Sequence, residues 1–481
     1  MRALKSFALV VAPVAVMLFA TPIASASTQY AVGKAVCKRP TKVLHARCFV
    51  MKRVIVTRGT AGAQPIVDAP ANAADSPAAV KTQGPAGGLT PADLAKAYSL
   101  TPTGGTGQTL AMVDAYNDPN IQADLKTFDT EYGLPAPPSF KVVSQTGSTT
   151  SLPANDTTGW SVEESLDVES AHSICEKCSL ILVETNSNSF SDLEAGVDEA
   201  VALGANEVSN SYGGPETGVS AADKAAYNHP GVVITASAGD QGWYDYEYDL
   251  EGDGPINAPN FPASSNDVVS VGGTSLYFTQ AGARSYETVW NDDETKASIP
   301  FQTGDLFGAT GGGCSTVFTA QAWQKTAANW AATTCKTKRL SNDVSAVADE
   351  FTGFDLYDSY DYSGSGAPDW ETVGGTSLAS PIIAAVFGLA GGAGGVAYPS
   401  QTLYSHPSDF NDVTVGGNGV CDGQGAPECG NWNNLGYGAL DCDYNTAGTA
   451  VATGDDQCDA AAGYDGPTGL GTPDGIAGFT P

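Results

Sequence analysis

Residues 372–381 read TVGGTSLASP, with Ser377 behind two glycines and a threonine and ahead of the apolar run LASPIIAAVFGLAGG. Gly374 and Gly375 let a substrate backbone approach closely, and a helix starting here aims free N–H groups at a developing oxyanion. Pro381 is expected in the first helical turns, where its missing N–H does little harm. A serine at such a place is more often a plain helix cap, so nucleophilic chemistry needs partners. The usual proton acceptor is histidine, and the chain has 4. His45 lies in a basic N-terminal segment, His229 precedes Pro230 at a predicted helix end, and His406 precedes Pro407 in a loop. His172 alone shares a helix with other polar candidates, and none of the histidines is followed by Gly-Thr.

Carboxylates offer a different base. In VEESLDVE, Glu163 and Asp167 are four residues apart and project from one helix face, with Val162 and Leu166 marking the buried side. Two carboxyls held together do not both ionise freely, so they share a proton over part of the pH range. A glutamate is a competent base in acid, where histidine is already protonated. Standing alone, such a helix in an acidic chain reads as a solvated face. The third element is TASAGDQGWYD, which sets Asp240 at the end of a predicted strand between Gly239 and Gly242. There an aspartate can hold a metal, cap a turn or, if protonated, donate its O–H to an oxyanion.

Elements that alternate between strand and helix must position these residues. QTLAMVDAY (108–116), SLILVETN (179–186), NEVSNSYGG (206–214), GVVITASAGD (231–240) and NDVVSVGGTSL (266–276) read as strands. PNIQADLKTFDTEYG (119–133), GWSVEESLDVESAHSI (159–174), FSDLEAGVDEAVALG (190–204) and SAADKAAYNH (220–229) read as helices. Such alternation predicts an α/β fold, a doubly wound, mostly parallel sheet flanked by helices, with reactive groups at the C-terminal strand ends.

The 481 residues suffice for a large core. Residues 1–26 read as a secretory signal peptide: Arg2 and Lys5, an apolar stretch from Phe7 to Ile23, then small residues at Ala24 and Ala26. The mature protein is therefore expected to be secreted and extracellular, with no membrane contact after signal cleavage, and monomeric. Ten cysteines suit an oxidising compartment. Cys175 and Cys178 form a CxxC with no second half for a zinc site, so a small disulfide is expected, and the spacing of Cys314 and Cys335 suits another. The pairing of Cys421, Cys429, Cys442 and Cys458 stays open.

The net charge of −31 divides unevenly. Residues 27–87 carry nine Lys and Arg against Asp68 and Asp75, a balance of +7. Residues 88–481 carry eleven against fifty-one acidic residues, a balance of −40, with no Lys or Arg after Arg339. That surface excludes nucleic acid as a natural partner and suits a protein working in acid, where self-repulsion fades. The Ala/Pro/Gly-rich stretch 61–88 reads as a linker, so residues 27–87 form a short basic pro-segment and linker before a domain at 88–481. Such a segment would dock on its acidic partner and loosen in acid or in high salt.

Taken together, VEESLDVE, SNSYGG, ASAGDQG, NFPASSNDVVSVGGTSL, ETVWN, GGGCSTVF, NDVSAVAD, GGTSLASP and GYDGPTGLGTPDG resemble the sedolisins, serine-carboxyl peptidases with a subtilisin-like fold. The resemblance spans about residues 88–481. It implies Ser377 as nucleophile, Glu163 as general base, Asp167 as its proton-sharing partner and Asp240 as the oxyanion-hole acid beside the Ser377 N–H. It also implies one structural Ca²⁺ in a C-terminal loop region (about 409–475), held by the Asp412 and Asp465 carboxylates and the carbonyls of Val413, Ala461 and Gly463. Here Asp412 and Asp465 are separated by a Cys-, Asp- and Asn-rich insertion, and Ala461 stands where glycine is common. The expected protein is a proenzyme that hydrolyses proteins or peptides at about pH 3–5, losing activity as Asp240 ionises. The alternatives are a His172-dependent subtilisin-like protease and an inactive peptidase fold kept for binding.

Overall fold

Apolar runs with few charges make the central strands, because a strand covered on both faces must be hydrophobic along its whole length. The computed structural model describes residues 28–37, 40, 44–58, 84–244, 258–279, 281–292, 308–364, 366, 369–419 and 456–481. The expected signal peptide, most of the linker and the Cys-rich insertion lie outside them. Among the described residues the main sheet has eight strands. Its order is Arg284–Val289, Val269–Phe278, Val233–Ser237, Glu207–Asn210, Thr109–Ala115, Ser179–Thr185 and Phe140–Ser144, with Val344–Val347 also paired to Val269–Phe278. All neighbours are parallel except Arg284–Val289, which runs antiparallel at one edge. The predicted doubly wound sheet is thus present, and the fold is α/β.

Strand alternation sorts the layers. Gly196 of the helix Phe190–Ala202 packs against Val113, Val183 and Thr185, so those side chains occupy one face. Asp114 and Glu184, one residue on, must point to the opposite face. There lie the helix Trp160–Ile174, which carries the carboxylates, and the helix Thr376–Ala390, which carries Ser377. Every residue of the carboxylate helix is buried, so VEESLDVE is no solvated face. Its first free N–H groups are met by Asp156, whose carboxylate accepts from Gly159 N at 2.9 Å and Ser161 N at 3.1 Å.

The basic segment is not a separate body. A second, four-stranded antiparallel sheet runs Thr28–Ala35, Met51–Arg58, Asp369–Gly374 and Phe354–Asp358. Its strand Met51–Arg58, from the basic segment, lies directly beside the strand that leads into Ser377. Lys52 is paired with Glu371, and Arg53 Nη2 donates to the Ala86 carbonyl and Thr372 Oγ1. Docking therefore rests on backbone pairing as well as on the charge complementarity expected from composition. Disulfides join Cys37 to Cys48, Cys175 to Cys178 and Cys314 to Cys335. Cys458 is also disulfide-bonded, while Cys421, Cys429 and Cys442 lie outside the described residues. No helix among the described residues is long and apolar enough to cross a membrane.

Candidate active site

Ser377 is the second residue of a helix whose first thirteen residues are buried. Gly375 precedes the helix at φ 96°, in the left-handed region. A Cβ there would collide with the Phe49 carbonyl and come 2.8 Å from Asp240 Oδ2, so glycine is required twice over. Pro381 is the sixth helical residue, within the first two turns. Its missing N–H frees the Ser377 carbonyl, and Ser211 Oγ approaches that carbonyl at 3.3 Å. The proline thus helps to build the site.

Ser211 sits between Glu207–Asn210 and Tyr212–Pro215, where the predicted strand 206–214 breaks in two. Its hydroxyl lies 2.7 Å from Asp167 Oδ1. The hydroxyl donates its one proton to Asp167, the shorter of its two contacts. The Ser377 hydroxyl donates to the Ser211 carbonyl at 3.2 Å. Among the described residues neither Glu163 oxygen meets hydrogen-bond geometry with a partner, yet the nearby Ser377 hydroxyl favours its charged form.

Burial pushes Glu163 well above the usual carboxylate range, with the Asp167 and Asp114 charges next in size. Burial likewise raises Asp167, opposed by the Ser211 hydroxyl. Asp240 follows the strand Val233–Ser237, as predicted, and its Oδ1 accepts from Thr376 N at 2.8 Å and Thr376 Oγ1 at 2.9 Å. Its pKa is raised to about 7 by burial, against the pull of those bonds and of Arg47. Glu163, Asp167, Asp240 and Ser377 are therefore brought together. His172 is not: it lies nine residues beyond Glu163, roughly 13 Å along the helix axis. Its ring bonds instead to the Pro135 carbonyl at 2.8 Å and faces Asp129.

Sequence reasoning missed Asp114, a buried carboxyl with no hydrogen-bond partner among the described residues, raised to about 8 by burial beneath the pair. An aspartate closing the apolar strand TLAMVDA was its signal. It also missed Glu164, buried on the same helix against Glu184 and Asp118. Arg47 and Phe49, which enter the site from the basic segment, left no local signal.

Of the predicted calcium residues, Asp412 lies against Gly463 and Asp465 against Ala461, beside the pairing of Phe410–Asn411 with Thr472–Pro473. Asp412 Oδ2 accepts from Gly463 N at 3.0 Å, and Asp465 accepts from Ala461 N at 3.0 Å and from Thr468 N and Oγ1 at 2.9 Å. Asp465 is buried, and the Asp412 charge adds to the rise of its pKa, after burial. Among the described residues, Asp118–Asp124–Asp358 and Asp292–Asp349–Glu350 form two further buried acidic groups.

A sequence profile of the subtilase family matches residues 152–397, half of the chain. Sedolisin of Pseudomonas sp. is 30% identical over 337 residues, and xanthomonalisin of Xanthomonas sp. is 29% identical over 337. These alignments cover 66% and 62% of this chain but only 54% and 38% of the relatives. The solved structure of Pseudomonas sedolisin, a serine-carboxyl proteinase, superposes with a TM-score of 0.61 at 26% identity, covering 81% of this chain and 96% of that one. The chain belongs to the subtilase family, and to the sedolisins within it. The subtilisin-like α/β architecture expected from the sequence is thereby established. Within that family frame, the acidic set around Ser377 and the distance of His172 become the informative features of the site.

Proposed function

We propose that the chain is a secreted, acid-acting serine-carboxyl peptidase made as a proenzyme. Ser377 Oγ attacks a peptide carbonyl carbon and Glu163 takes its proton. Asp167 shares a proton with Glu163 and is held in place by the Ser211 hydroxyl. Asp240 in its neutral form and the Ser377 N–H stabilise the oxyanion, Glu163 returns the proton to the leaving amine, and water hydrolyses the acyl-enzyme. The observation that carries the reading is the buried Glu163 facing a helix-start serine, with no histidine in that place. Burial holds the carboxyl pair protonated while the pro-segment covers the site. Water entering as the segment leaves lets the pair share a single proton.

Calcium fits as a structural ion. Asp412, Asp465 and the carbonyls of Val413, Ala461 and Gly463 supply only oxygen, and a divalent cation would offset the two carboxylates. The pro-segment is the chain's own first partner, and proteins or peptides are the substrates. The test is acid treatment of the full chain followed by assay on a peptide library. Hydrolysis is expected with stoichiometric labelling of Ser377 by an acylating reagent, and Ser377→Ala should lose at least about four orders of magnitude in rate. An unlabelled serine and no hydrolysis would favour the inactive binding fold.

A further inference from the structure

We infer that residues 44–51 lie in the cleft as a substrate does, presenting the Phe49–Val50 bond to Ser377, and that the site is an endopeptidase taking an aromatic residue on the acyl side. The inference rests on the peptidase reading and adds the substrate class. Ser377 N donates to the Phe49 carbonyl at 3.1 Å, the bond that an oxyanion would receive, and Phe49 N donates to the Ser211 carbonyl at 3.3 Å. Cys48 and Arg47 pair antiparallel with Tyr212 and Gly213, as an added edge strand. On the leaving side, Met51 and Lys52 pair antiparallel with Gly374 and Val373. Both sides of one peptide bond are thus held in register about the serine.

The Phe49 side chain is 1% exposed. A Cβ on Gly213 would come within 2.8 Å of its Cε2 and 3.1 Å of its Cζ, so the pocket admits the ring because residue 213 is glycine. The strand does not stop three residues upstream. Ala46 N donates to the Asn188 carbonyl at 2.8 Å, Asn188 Nδ2 donates to the Ala46 carbonyl at 2.8 Å, and Phe190 N donates to the Leu44 carbonyl at 3.0 Å. A cleft still bonding the fourth and sixth residues on the acyl side is open-ended, which suits cleavage inside chains. The Cys37–Cys48 disulfide ties the acyl-side strand to Thr28–Ala35, which itself pairs with the leaving-side strand Met51–Arg58. This brace retains the cut ends and slows release.

In the cleavage, Ser377 Oγ bonds to the Phe49 carbonyl carbon while its proton goes to Glu163. The Phe49–Val50 C–N bond then breaks, Val50 leaves as an amine with that proton, and water returns a carboxyl at Phe49. Wild-type and Ser377→Ala full-length protein should be brought to about pH 4 and their new N-termini mapped over time. A terminus at Val50 in the wild type, absent from Ser377→Ala, is expected. Phe49→Ala should raise the initial rate on an added peptide about tenfold or more, through weaker hold on the cleft. In the library, Phe and Tyr should dominate the acyl side, and Gly213→Ala should shift the preference to smaller residues. A first cut elsewhere, followed by library cleavage without aromatic preference, overturns the inference and leaves the peptidase reading standing. Absence of hydrolysis, of the chain and of every library peptide, removes both.

Discussion

At the scale of the residue, the chemistry depends on where three carboxyls keep their protons. Asp240 is useful as a donor only while neutral, and its pKa of about 7 makes that form dominant in acid. Activity should therefore fall as pH rises and Asp240 ionises, along a limb that belongs to Asp240. Asp240→Ala should lower kcat by about 10²–10³ with a small change in KM, as expected for a donor that acts in the transition state. Asp240→Asn keeps a donor that does not ionise, so its residual activity should persist to higher pH. A variant profile with an unmoved alkaline limb would assign that limb to another group. The places of Ser377, Glu163 and Asp240 on their elements were legible in the sequence because each is signalled locally, by a glycine pair, an i,i+4 spacing and a strand end. Asp114 and Arg47 were not, because tertiary packing alone brings them to Glu163 and Asp240.

At the scale of the element, the carboxylate helix is positioned by a loop aspartate and the serine helix by a proline. Asp156→Ala leaves the N–H groups of Gly159 and Ser161 without their acceptor and should destabilise the fold by about 1 kcal/mol in urea unfolding. Glu163 is only four residues from Gly159, so catalysis should weaken with it. The order of strands and helices followed from apolar periodicity. The break at Ser211 did not, since a strand pattern cannot show that one residue must turn its hydroxyl to Asp167. Nor did the sequence reveal that the basic segment adds a strand beside Gly374, because backbone pairing between residues more than 300 apart leaves no periodic trace.

At the scale of the whole molecule, the −40 balance of residues 88–481 and the buried acids tell the same story. Asp118 is raised to about 7, Asp114 and Asp358 to about 8 and Glu184 to about 9, each first by burial. In the unfolded chain these groups titrate near 4. Between about pH 4 and 9 the folded chain binds more protons, so the stability they confer is present below about 4 and is lost as pH rises. Thermal unfolding should occur at higher temperature at about pH 4 than at about pH 8; the reverse order would mean that these carboxyls are ionised in the fold. A chelator should lower the melting temperature and calcium restore it, with Asp465→Ala insensitive to both. One comparison bears most directly on an acid-range Ser–Glu–Asp mechanism: the pH–rate profile of acid-activated wild type beside Glu163→Gln and His172→Ala. An acidic optimum, loss of about 10³ or more in Glu163→Gln, and a retained profile in His172→Ala are expected. A neutral or alkaline optimum abolished by His172→Ala and spared by Glu163→Gln would contradict it.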